Sequence, residues 1–148
     1  MLSGRAPLTY EQAQQINPIT LAFVGDAVYS AYVRERLAIE INGKPSDLQR
    51  VASQVVSAKG QSAFLEELIP LLTEEESAVF RRGKNAKKPT RSKGATALEY
   101  NRSTGFEAVL GYLYLTGQDG RIAELLSALN EKDLQPEPTP KAFKPVHR

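Results

Sequence analysis

The sequence predicts an all-α fold, and three observations carry that reading. Apolar residues recur at three- and four-residue spacing through most of the chain, and capping side chains precede those runs. No stretch alternates apolar and polar residues as a half-buried strand would. At 148 residues the chain is one domain long, and a hydrophobic content of 41% supplies its core.

The elements follow in order. Thr9 with Gln12 is a capping-box pattern that opens a short helix to about Ile16. Asn17-Pro18 reads as cap and first helical residue of a long helix, Ile19 to about Ile41, which Asn42-Gly43 closes. Ser46 with Gln49 is a second capping box, and its helix runs to about Ser57. Another helix follows to about Leu72, carrying Phe64, Leu65, Leu68 and Ile69. Thr73 with Glu76 opens a helix that fades at Arg82-Gly83. Residues 83–95 hold no apolar side chain larger than Ala and read as a loop. A long helix is expected from about Thr96 to Thr116, ended by Gly117. Asp119 then caps a final helix with Ile122, Leu125, Leu126 and Leu129 on its apolar face. The domain spans residues 1–132; residues 133–148, with four of the nine prolines, are expected to be a disordered tail.

Composition excludes several chemistries. Without Cys there is no thiol nucleophile, disulfide or thiolate metal site. The one His, His147, lies next to the C-terminus, so a Ser-His-Asp triad or a His-rich metal site is not expected. No apolar run approaches a membrane span, and the N-terminus lacks a signal peptide's apolar segment, so a soluble, cytoplasmic protein is expected.

The net charge of +2 hides an asymmetry. Arg81, Arg82, Lys84, Lys87, Lys88, Arg91 and Lys93 lie together with no acid among them. Removing those seven from the 19 basic residues leaves 12 against 17 acids, a remainder at −5. A charge run is often plain solvated surface. Here its contrast with the acidic remainder, and the small polar residues between the charges (Asn85 among them), point to a polyanion. The segment has no aromatic residue to stack on bases, which favours a duplex over a single strand.

Two acids interrupt apolar helices. Asp26 sits in LAFVGDAVYSAYV (residues 21–33), a helix apolar all round at its start and so expected to be buried. Glu107 sits in STGFEAVLGYLYL (residues 103–115). A buried carboxylate needs a positive partner. One reading pairs the two acids with Arg34 and Arg102. The other places both around a divalent cation, with Gly25, Ala27, Gly105 and Ala108 leaving room for a hydrated ion.

Phe23-Val24-Gly25-Asp26-Ala27-Val28 and Phe106-Glu107-Ala108-Val109-Leu110-Gly111 together resemble the two acid-bearing blocks of the ribonuclease III endonuclease domain. The resemblance covers about residues 16–130. Carried over residue by residue, it makes Asp26 and Glu107 the catalytic metal ligands, with Mg²⁺ as cofactor and Mn²⁺ as a substitute. Four residues before the aspartate, where that family usually has Glu, this chain has Ala22. Three before the glutamate, where it usually has Asp, stands Thr104. These losses, the lack of a following double-stranded-RNA-binding domain, and the stretches at residues 82–87 and 56–59 are similar to the family's Mini-III branch.

The resemblance implies a helical homodimer that cuts both strands of double-stranded RNA, leaving short 3′ overhangs and 5′ phosphates. The substrate it implies is a large-subunit (23S) ribosomal RNA precursor, and a large-subunit ribosomal protein is implied as a partner. The basic segment would grip phosphates in place of the absent RNA-binding domain. The competing expectation, motivated by Ala22 and Thr104, is a domain that has lost catalysis and kept RNA or ribosome binding. A di-metal carboxylate bundle fails for want of a Glu-x-x-His pair.

Overall fold

Most helix starts in this chain are set by side-chain caps, as the computed structural model shows; it describes residues 1–88 and 94–129 and the backbone of Lys144–Pro145. Thr9, Thr73 and Thr96 each accept from the backbone three residues on, and Gln12, Glu76 and Glu99 reach back to the cap. These boxes open α1 (Tyr10–Gln14), α5 (Glu74–Asn85) and α6 (Ala97–Leu115). Asn17 Oδ1 accepts from the Ile19 amide at 2.8 Å and opens α2 (Pro18–Glu40). Between these lie α3 (Pro45–Val56), α4 (Ala58–Leu68) and a 3₁₀ turn at Ile69–Leu71; α7 (Asp119–Leu126) comes last. The all-α expectation holds.

Four boundaries differ, each for an identifiable reason. Helix α3 starts at Pro45 behind Lys44, and no side chain caps it, because Pro at the first position already has helical φ. Ser46 therefore lies inside the helix. Helix α2 ends because Ile41 turns extended and buries its side chain. Gly43 is not in the left-handed region, whereas Gly117 is, at φ +74°. Helix α5 passes through Gly83 to Asn85, since a side chain there would press on Thr104, Gly105 and Ala108. The start of α7 has Gln118 as its cap, with Asp119 in its first turn beside the helix dipole's positive end.

Helix α6 is the centre of the molecule. Ten of its residues are buried, on all sides, from Ser103 to Leu113. Phe106 meets Tyr29 and Phe64 edge to face at 5.2 and 5.6 Å, joining α2, α4 and α6 in one aromatic cluster. Helix α2 crosses α6 at two glycines. A Cβ on Gly25 would lie 1.6 Å from the Glu107 carbonyl oxygen, and one on Gly111 would lie 1.9 Å from that of Leu21. Only backbone fits there.

Buried Glu76 ties α5 to α7: Arg121 donates to both its carboxylate oxygens at 2.8 Å and also pairs with Glu124. That guanidinium holds the Glu76 carboxyl below the usual carboxylate range, against the opposing pull of burial. Ile41–Asn42 (β1) pairs antiparallel with Lys144–Pro145 (β2). The rest of the segment expected to be a disordered tail, 133–148, lies outside the described residues.

Candidate active site

Helix α2 is not buried all round. Leu21, Ala22, Gly25, Tyr29, Val33 and Leu37 face the core. Phe23, Asp26 and Ala27 face out, Phe23 being 78% exposed. The expectation that Asp26 is buried is thus corrected. A helix can be apolar on every face because one face packs inward while the other is left uncovered. Phe23, Val24, Ala27, Ala31 and Tyr32 line an apolar groove with Asp26 at its edge, and Leu2 and Tyr114 close one side of it.

The crossing of α2 and α6 brings the two acids together. Gly25 lies against the backbone of Glu107, so the Asp26 side chain, the next along α2, reaches the Glu107 carboxyl as a hydrogen-bond partner. Glu107 is half-buried, and its carboxyl is pushed up to about 9. Burial is the main cause, followed by the hydrogen bond with Asp26 and that neighbour's charge; a hydrogen bond from Gln61 opposes them. Three of the four small neighbours serve packing. Gly25 and Gly105 admit a neighbouring helix and Ala108 is fully buried in the core, so of the four only Ala27 is exposed beside Asp26.

Neither arginine that could have neutralised these acids does so. Arg34 bonds Ser30 and Gln49, and Arg102 pairs with Glu66 at 2.8 Å. Two carboxyls sharing one place, with no ion pair to either among the described residues, fit a divalent ion, which takes one or two carboxylates and completes its shell with water and phosphate oxygens. Among the described residues no cluster of three or more acids or histidines forms. Ala22 is buried and offers no ligand, and the Thr104 hydroxyl is turned to the Tyr100 carbonyl at 3.0 Å.

One neighbour of the pair was missed from the sequence. Gln61 is fully buried and donates to Glu107 Oε2 at 3.4 Å. Its signal is an amide where the apolar period of α4 (Phe64, Leu65, Leu68) calls for a hydrophobic residue.

The basic residues divide by what they touch. Arg82 donates to Gln14 and to the carbonyls of Gln14 and Ile16, locking α5 to α1. Lys88 turns back to cap α5, donating to the carbonyls of Gly83, Lys84 and Ala86 at 2.7–2.9 Å. Arg81, Asn85 and Lys87 are exposed and Lys84 half-buried. Arg91 and Lys93 lie outside the described residues. Gly83 anchors this end of α5 on residues 104–108 of α6, the turn that carries Glu107.

Comparison with known proteins identifies the family. The ribonuclease III domain family matches residues 19–118. A Mini-ribonuclease 3 of Symbiobacterium thermophilum is 51% identical over 75% of this chain and 85% of its own length. Those of Brevibacillus brevis and Enterococcus faecalis are 47% and 42% identical, over 74% and 77% of this chain and 82% and 88% of theirs. The crystal structure of a Fusobacterium nucleatum protein superposes with a TM-score of 0.68 at 29% identity, covering 75% of this chain and 88% of that one. With its two acids meeting at the α2–α6 crossing, the chain belongs to the ribonuclease III family of endoribonucleases, on the branch of the Mini-ribonuclease 3 proteins.

Proposed function

We propose that this chain is a divalent-metal-dependent endonuclease that cuts both strands of double-stranded RNA as a homodimer, with a large-subunit ribosomal RNA precursor as its substrate. The observation that carries the reading is the Asp26–Glu107 pair, brought together with no ion pair to either acid among the described residues. Mg²⁺ or Mn²⁺ held there would acidify a bound water and stabilise charge developing on the phosphodiester. Asp26, exposed at the groove edge, presents its carboxylate where a phosphate can approach. Glu107, set one helix deeper, is kept in place by Gln61. The competing reading, a binder that has lost catalysis, draws on Ala22 and Thr104. Incubating the purified protein with end-labelled plain duplex RNA separates the two. Cleavage with Mg²⁺ and none with chelator is expected; a duplex bound but intact at every Mg²⁺ concentration would establish the binder.

The apolar groove supports the dimer. A 78%-exposed Phe23 and a 96%-exposed Leu2 on one face are what a second copy would cover. Phe23→Asp should yield a monomer in sedimentation equilibrium at concentrations where the wild type sediments as a dimer. An unchanged mass would place the interface elsewhere.

Arg81, Lys84, Asn85 and Lys87 are the described part of the proposed duplex grip, which extends to Arg91 and Lys93. Arg82 and Lys88, engaged with backbone carbonyls, hold its shape. Replacing Arg81, Lys84 and Lys87 together by Ala should flatten the plot of log affinity against log salt by roughly two to three units, about 0.9 per phosphate contact. A slope equal to that of the wild type would make this segment plain solvated surface.

A further inference from the structure

We propose that Gln61 is a positioning residue of the metal site. One amide N–H holds the Glu107 carboxylate, while the other is anchored on the Val56 carbonyl at the end of α3. The proposal rests on the metal reading of Asp26 and Glu107.

Gln61 is 0% exposed in the first turn of α4, three residues before Phe64 and four before Leu65, on the face that packs into the core. Packing alone asks for an apolar side chain there. Its Nε2 instead faces two acceptors, the Val56 carbonyl at 2.9 Å and Glu107 Oε2 at 3.4 Å. Turning the amide over would set its oxygen against those same two acceptors, so the group is locked in one orientation. Nε2 thereby spans from the end of α3 to the carboxylate on α6. Gln61 Oε1, at the other corner of the amide, is buried and has no hydrogen-bond partner among the described residues. Buried amide oxygens are almost always satisfied. Leaving it unpaired costs stability, so the amide is held there for its two N–H contacts and not for packing. Ala22 and Thr104 supply no further carboxylate, which leaves neutral groups to orient the ion's shell. Groups behind a metal ligand fix its direction and tune the affinity of the site.

The test is Mn²⁺ binding to the metal-free protein, followed by the electron paramagnetic resonance signal of the free ion, with melting temperatures taken with and without Mn²⁺. Gln61→Met keeps the volume and removes both polar atoms. It should melt near the wild type without metal and bind Mn²⁺ roughly 10- to 100-fold more weakly. A midpoint within about twofold of wild type overturns the assignment, whatever the melting temperature. Gln61→Glu decides the matter if Gln61→Met does not fold. It keeps the shape and an acceptor but puts a third carboxyl beside Glu107, so its metal-free melting temperature should fall and Mn²⁺ should restore it. Failure of Mn²⁺ to restore it overturns the assignment. A wild type that does not bind Mn²⁺ sinks the metal reading and this proposal with it. A wild type that binds, with variants that bind equally well, sinks the Gln61 role alone.

Discussion

Asp26→Asn and Glu107→Gln are each expected to lower cleavage of duplex RNA by several orders of magnitude while leaving the duplex bound. Each substitution removes one metal charge and nearly preserves shape, and the activated water and the charge stabilisation are lost together. Binding should persist because its charges, Arg81, Lys84 and Lys87, sit on the last turns of α5 and just beyond it, not on the two acids. Stability moves the other way. Glu107 titrates at about 9 in the folded metal-free protein, against about 4.3 for an unperturbed Glu. Between those values the folded state keeps a proton that the unfolded chain releases, so the contribution of this group is full at acid pH and declines as pH rises toward 9. Metal-free Glu107→Gln, which mimics the protonated form, should therefore melt above the wild type at pH 8, the gap closing toward pH 5. Scanning calorimetry across that range, with cleavage measured on the same samples, decides the point. A variant that melts lower at pH 8 yet cleaves normally per folded molecule would make Glu107 a structural acid.

Gly25→Ala should leave little folded protein. The added methyl would sit 1.6 Å from a backbone oxygen, so no rotamer change can relieve it and α2 must move off α6. Overpacking in a core costs about 1–3 kcal/mol, and more where backbone must give way. Taken from a total of roughly 5–15 kcal/mol, that leaves the fold marginal. The expected result is a melting temperature lowered by about 10 °C or more, or insoluble protein. Gly111→Ala meets the Leu21 carbonyl at 1.9 Å and should behave alike. Gly120→Ala is the control. It lies in α7 with nothing within 4 Å, so it should be neutral or gain about 0.5–1 kcal/mol from helix propensity. If Gly25→Ala melts like the wild type, the close crossing of α2 and α6 is not present in solution.

Local chemistry was legible wherever a segment settled its own structure. Thr9, Asn17, Thr73 and Thr96 cap helices with their own side chains, and Gly117 ends α6 with a positive φ, so these boundaries could be read from adjacent residues. Other errors fall where an element further along the chain, or a side chain's own reach, intervenes. Gly83 reads as a breaker in isolation, yet it is helical because α6 presses on it. Lys88 reads as one more surface charge, but it folds back onto the carbonyls of the turn before it, a local contact that residue type alone does not reveal.

By itself the sequence determined the helical class, the order of the helices, and Asp26 and Glu107 as the two acids set in apolar segments. Those properties depend on periodicity, capping and residue type, all of which act within a few positions of the chain. Only the tertiary structure decided that Asp26 is exposed, that Arg34 and Arg102 turn elsewhere, and that Gln61 stands behind Glu107. Each of these follows from how α2, α4 and α6 pack, and Gly25 and Gly111 set that packing by letting two backbones meet where any side chain would hold them apart.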